Sequence, residues 1–220
     1  MRVLTFAVVL LALGAAGASA TTTVPVVHCP TTYGVRQPPP RLPSRLSVTS
    51  SSKSVRGLDA YSNGVLFVLA PQGLNCHALV GADGGASITI TPGSTTHVRE
   101  PAVTVQFADT PGPAASLACP LFVAAEQQLS GVSCPLSRPA REHTTGAGQG
   151  ALYFTDPPHV HGDGRPSGGN YTARGAIAFR PQSRGFNGYA FLVTCALPSS
   201  SGAACGTILA DALTRIPVQD

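Results

Sequence analysis

The chain has 220 residues, 43% of them hydrophobic and 11% charged, with 6 cysteines and a formal net charge of +4. That length suffices for one domain whose core buries about 70% of the unfolded surface. The charge is too small and too scattered for a nucleic-acid partner, and with no Trp and 5 Tyr few aromatic faces exist on which a sugar could stack.

Residues 1–20 read as a secretory signal peptide. Arg2 supplies the positive start, Val3 to Leu13 the apolar run and Ala18-Ser19-Ala20 the cleavage site. Cleavage removes one positive charge (+4 − 1 = +3) and starts the mature chain near Thr21. The apolar run is broken by Gly14 and Gly17, short of the roughly 18 to 20 residues that a membrane span requires. The expectation is a secreted, extracellular protein with no membrane span.

Residues 21–45 read as an extended Pro-rich N-terminal arm. Within it Arg36 to Ser44, "RQPPPRLPS", is a polyproline stretch expected to lie exposed as a spacer. Its P-x-x-P spacing also fits a ligand for an aromatic groove, but the spacer reading is the simpler one. Residues 46–220 then read as a single disulfide-bonded domain. Short strands are predicted at Leu46 to Thr49, Val65 to Leu69, Cys76 to Val80, Ser87 to Thr91, Val103 to Phe107, Ala151 to Thr155, Gly175 to Arg180 and Tyr189 to Cys195. Asp83-Gly84 marks one hairpin, and the loop with Asn187-Gly188 a second.

Two segments carry a helical period. Pro120 to Leu129 puts Leu121, Phe122, Ala125 and Leu129 on one side, with Gly131 as the stop. Cys205, Ile208, Leu209, Ala212, Leu213 and Ile216 form the stripe of a second helix, which Ser201 can cap and Pro217 ends, with Asp211 and Arg215 as an outward i,i+4 pair. An even cysteine count behind a signal peptide reads as three disulfides. Six cysteines allow fifteen pairings; proximity favours Cys119 with Cys134, Cys195 with Cys205, and hence Cys29 with Cys76. The predicted fold is α+β: an antiparallel sheet with two disulfide-tethered helices on one face.

The densest chemistry lies in "DPPHVHGDGRPSGG", residues Asp156 to Gly169. In an extended backbone His159, His161 and Asp163 project to one side, as three zinc ligands could. His143 is the nearest further histidine. Against this, Pro157-Pro158 and the glycines make a polar surface loop in which His and Asp are ordinary. The loop reading is preferred, with no bound metal and no cofactor. Nucleophile motifs are poor. Gly131-Val132-Ser133-Cys134-Pro135 fails as a G-x-S-x-G elbow, and Ser50-Ser51-Ser52-Lys53 contains S-x-x-K only through a serine run, with Lys53 the sole lysine. H-E-x-x-H and P-loop patterns are missing. Asn170-Tyr171-Thr172 is a formal glycosylation sequon.

The unit "FLVTCALPSSSGAACGTILADAL" (strand, Cys195, Pro198, polar loop, Cys205, helix) resembles the strand-disulfide-helix unit of the subtilisin-inhibitor-like proteins of filamentous Gram-positive bacteria. The resemblance implies inhibition of extracellular serine proteases. In those inhibitors a second half bears a Cys-Pro reactive loop, whereas here "HCPTTYGV" lies far upstream. The whole chain, through "CPTTYGV", "LPSRLSV", "GDGRPSGG" and "TCALP", resembles an uncharacterised family of exported proteins from high-GC Gram-positive bacteria. That resemblance implies secretion and one domain, and carries no catalytic residue over. The functional expectation is a non-catalytic binding or interaction protein with an extracellular protein partner. The alternatives are an inhibitor of extracellular serine proteases and a secreted hydrolase using the His159/His161 loop.

Overall fold

A computed structural model of the chain describes residues 21–36, 38, 40–50, 53–92, 103–119, 121–122, 125, 127, 144–145, 151–159, 170–183 and 188–217. Its first strand, β1 (Thr21–His28), continues through Cys29 and Pro30 into β2 (Thr31–Tyr33). Then come β3 (Arg45–Thr49), β4 (Leu58–Ser62), β5 (Phe67–Pro71), β6 (Asn75–Val80), β7 (Ala86–Thr91), β8 (Val103–Ala108) and helix α1 (Pro111–Ala118). The chain ends with β9 (Thr144–Thr145), β10 (Ala151–Asp156), β11 (Ala173–Arg180), β12 (Tyr189–Cys195) and helix α2 (Gly202–Leu213).

These strands form two sheets rather than the one predicted. The smaller has the order β3-β1-β4-β5 and the larger β2-β6-β7-β8-β12-β11-β10-β9. Nor is the pairing purely antiparallel, because β1 runs parallel to β4 and β2 parallel to β6. One extended N-terminal segment causes both parallel contacts. Its first part, within the expected arm, is an inner strand of the small sheet, and its second part is an edge of the large one. At the crossing, Cys29 N–H donates to Ser62 O (2.9 Å), Pro30 O accepts from Ala78 N–H (2.9 Å), and Cys29 is bonded to Cys76. The bridge therefore pins the two sheets together where the chain changes partner.

Side-chain alternation gives the large sheet two apolar faces. Ile88, Ile90, Val103, Val105, Ala176, Ala178, Phe191 and Val193 join the small sheet and α2 in one core. Their neighbours Ile177, Phe179 and Ala190, with Phe154, form a second core under α1. The two helices thus lie on opposite faces of the large sheet, not on one. A strand such as Ala176-Ile177-Ala178-Phe179 is apolar throughout because both sides are covered. The same holds for Val68, Leu69 and Ala70 of β5, each fully buried.

Helix α2 follows the predicted stripe, burying Cys205, Ile208, Leu209 and Ala212, and is tethered by the Cys195–Cys205 disulfide. Ser201 occupies its N-cap without making a side-chain cap bond. Asp211 and Arg215 do pair (2.8 Å), yet inward: their side chains are 6% and 20% exposed, and Arg215 Nη2 also donates to Ser47 O of β3 at 2.6 Å. Helix α1 is not the helix predicted over Pro120 to Leu129: it ends at Ala118, before that range, most of which lies outside the described residues. Pro111-Gly112-Pro113 has the composition of a turn, but first-turn N–H groups have no helical partner, so prolines there lose nothing. Pro113 also removes an N–H that the N-cap Thr110 side chain would otherwise accept, and Thr110 makes no cap bond. Leu121 and Ala125 are buried in the α1 core as expected; Leu129 lies outside the described residues. Cys119 at the end of α1 is disulfide-bonded, and its predicted partner Cys134 also lies outside them.

Tyr61 fixes the turn between β5 and β6. Fully buried, its hydroxyl donates to Pro71 O (2.9 Å) and accepts from Leu74 N–H (3.1 Å). Burial pushes its pKa up, the Leu74 backbone opposes this, and the charge of Asp59 adds to it. The folded state thus prefers the neutral phenol. This contribution is complete below the ordinary tyrosine value of about 10 and is lost as pH rises through the higher folded value. Tyr61→Phe should cost about 1–2 kcal/mol in urea unfolding at neutral pH, because Leu74 N–H loses its acceptor. It should also make stability above pH ~10 fall less steeply than in the wild type. Equal slopes would show that Tyr61 does not contribute to the alkaline limit.

Candidate interaction surface

The histidine loop begins where β10 ends. Asp156 is buried and engaged by an interaction of its own, while Pro157, Pro158 and His159 are exposed. His159 sits at φ 65°, a left-handed conformation that His tolerates better than most residues. His161, Asp163 and His143 lie outside the described residues. Among the described residues no group of three His, Cys, Asp or Glu side chains could hold a metal ion.

The Cys29-Pro30 segment is not an exposed loop. Cys29 is fully buried, and Thr31, Thr32 and Tyr33 pair with Ala78, Leu79 and Val80. An inhibitor's reactive loop must stand clear of the body to enter a protease cleft, and this backbone is already in a ladder.

The proline stretch between β2 and β3 is not a free spacer but a strap held at three points. At its start Gly34 N–H donates to Val80 O (2.8 Å), and a Cβ on Gly34 would sit 2.6 Å from Ala82 N, so only glycine lies this close to the β6–β7 hairpin. Midway, Pro40 packs on Gly64, whose φ is +90° and where a Cβ would sit 2.0 Å from Pro40 Cγ. At the end Val26 N–H donates to Ser44 O (3.0 Å), and Arg45 donates to Thr23 Oγ1 and Thr23 O, both at 3.0 Å.

The Gly64 anchor is itself rigid. Asn63 Oδ1 accepts from Val65 and Leu66 N–H (3.0 and 2.8 Å), Ser62 Oγ accepts from Gly64 N–H (2.9 Å), and Ser62 Oγ donates to Leu66 O (2.7 Å). Ser62 and Asn63 are fully buried, as side chains that replace ladder bonds at a strand end must be.

Clamping decides what the strap shows. Pro40 and Leu42 turn inward and are half-buried, while Arg36, Pro38, Arg41 and Pro43 are exposed. The exposed large hydrophobic side chains of the described residues are Val35 (52%), Leu79 (46%), Val65 (39%) and Tyr171 (38%). The first three each stand next in the chain to one of the strap's anchor residues, Gly34, Val80 and Gly64. Val35 opens it, Val65 follows Gly64, and Leu79 of β6 lies beside Thr32 of β2. From Leu79 the outward face of the large sheet continues through Ser87 and Gln106, with His77, Thr89, Thr104 and Thr194 in the next row. None of these is Lys, Arg, Asp or Glu. The Thr104 and Thr194 hydroxyls hydrogen-bond to each other, which fixes that row.

The "RQPPPR" run made the strap's extension and positive charge readable, and Asn63-Gly64 marks a turn. That the two glycines anchor the strap is a property of contacts distant in sequence. No protein-family model matches the chain, and neither a curated protein nor a solved structure matches it. Among the described residues no helix is long and apolar enough to cross a membrane.

Proposed function

We propose that this is an exported, non-catalytic binding protein that meets a protein partner through the strap and the adjoining outer face of the large sheet. The carrying observation is that Val35, Val65 and Leu79, three of the four exposed large hydrophobic side chains of the described residues, each directly neighbour in the chain a residue that anchors the strap: Gly34, Gly64 and Val80. Scattered surface hydrophobes need no explanation, but grouped ones on an ordered surface have the composition of an interface. The uncharged face beside them fits, since interface centres are depleted of charge. Export is supported by the leader-like residues 1–20 and by the Cys29–Cys76 and Cys195–Cys205 disulfides.

The test is retention of an extracellular protein, from the source's own culture fluid, on immobilised mature protein. Val35→Glu with Leu79→Glu should keep the melting temperature and lose that retention by about tenfold or more, as burying two carboxylates in an interface demands. Retention equal to wild type would refute the surface. Two further assays address the alternatives. Stoichiometric inhibition in a serine-protease panel would replace this reading with an inhibitor. One-to-one zinc content lost on His159→Ala with His161→Ala would replace it with a metal-dependent hydrolase.

A further inference from the structure

We propose that the strap is the recognition element of this surface and docks into an acidic, aromatic-lined groove on the partner protein. The inference rests on the interaction reading above and adds the chemistry of the partner. A proline-rich segment is extended before it binds, and here it is also clamped at Gly34, Gly64 and Ser44. Little conformational freedom is left to lose on docking. Arg36, Pro38, Arg41 and Pro43 are exposed along it. The P-x-x-P pair Pro40 and Pro43 cannot serve together, because Pro40 is seated on Gly64. The exposed prolines that remain, Pro38 and Pro43, alternate along the chain with Arg36 and Arg41.

Arg36 and Arg41 are exposed, and neither has an ion pair among the described residues. A guanidinium pairs bidentately with a carboxylate and stacks on an aromatic ring, and exposed prolines pack between such rings. Val35, which follows the Gly34 anchor, and Val65, which follows the Gly64 anchor, are exposed and offer further apolar contact. Acidic loops beside aromatic slots match this sequence of cation, proline, cation and proline. A bare polyanion would satisfy the arginines but leave the prolines and valines unused.

The experiment measures binding of the oxidised mature protein to an immobilised random Glu–Tyr copolymer and, in parallel, to poly-Glu of equal length. The copolymer is expected to bind about tenfold more tightly than poly-Glu, and Arg36→Ala with Arg41→Ala to lose about tenfold on the copolymer. Arg41→Lys keeps the charge and should still lose about threefold through weaker stacking. Equal binding of the two polymers would reduce recognition to charge and overturn the proposal. Full binding by the Arg36→Ala, Arg41→Ala variant would overturn it as well. If Val35→Glu with Leu79→Glu abolishes retention of the extracellular partner while the arginine variant does not, the interaction surface stands and the strap's role falls. If neither affects retention, the interaction reading itself has failed.

Discussion

Arg215→Ala is expected to destabilise the fold by about 2–4 kcal/mol, among the largest effects of any charged residue in the described structure. The cause is the group left behind. Asp211 is 6% exposed and receives two hydrogen bonds from Arg215, at 2.8 and 2.9 Å. Without the guanidinium, a nearly buried carboxylate keeps its desolvation cost and loses its partner. The same Arg215 Nη2 donates to Ser47 O, so the variant also frees a carbonyl on the β3 edge from the end of α2.

The reverse truncation is milder. Arg215 is 20% exposed, so after Asp211→Ala its guanidinium can reach water, and the loss should be about 1–2 kcal/mol. The double variant should cost less than the sum of the two, with a coupling of about 1 kcal/mol or more in urea unfolding. Additive losses, or an Arg215→Ala cost below about 0.5 kcal/mol, would mean that the pair behaves as a solvated surface pair.

This pair also shows where sequence periodicity stops being informative. The i,i+4 spacing identified the partners, and the stripe on α2 identified its buried side, but the period cannot say what lies beyond the charged edge of a helix. Here it is β3, placed by its register with β1. The same limit explains the sheets. Strands β6, β7, β8, β10, β11 and β12 were legible because each alternates or runs apolar between turn residues. β1 and β4 were not, since "TTTVPVVH" begins polar and "LDAYS" has no alternation. The division into two sheets follows from one segment changing partners at Cys29 and Pro30, a non-local event without a local signal. For the strap, composition gave the extended backbone and the cations, whereas its direction was set by Gly64, distant in sequence. The histidine loop was prominent for the opposite reason, because compositional density alone draws attention whether or not side chains converge.

The second large effect tests the division of the core. Phe191 is 1% exposed and lies in β12 between Phe107 of β8 and Ala178 of β11, facing the small sheet and α2. Phe191→Ala should cost about 3–5 kcal/mol, because the sheets on either side cannot close over the void. In a domain of this size that corresponds to a fall in melting temperature on the order of 10 °C. Phe191→Leu keeps most of the volume and should cost about 1–1.5 kcal/mol.

The pattern of couplings is more discriminating than the magnitude. Ile208 of α2 shares the core of Phe191, whereas Ile177 of β11 points to the opposite face beneath α1. Each Ile→Val change should cost about 1 kcal/mol alone. Combined with Phe191→Ala, Ile208→Val should deviate from additivity by about 0.5 kcal/mol or more, since both border one cavity, while Ile177→Val should be additive within about 0.3–0.5 kcal/mol. Equal couplings would refute the register that puts Phe191 and Ile177 on opposite faces of the large sheet, and with it the separation of the two cores.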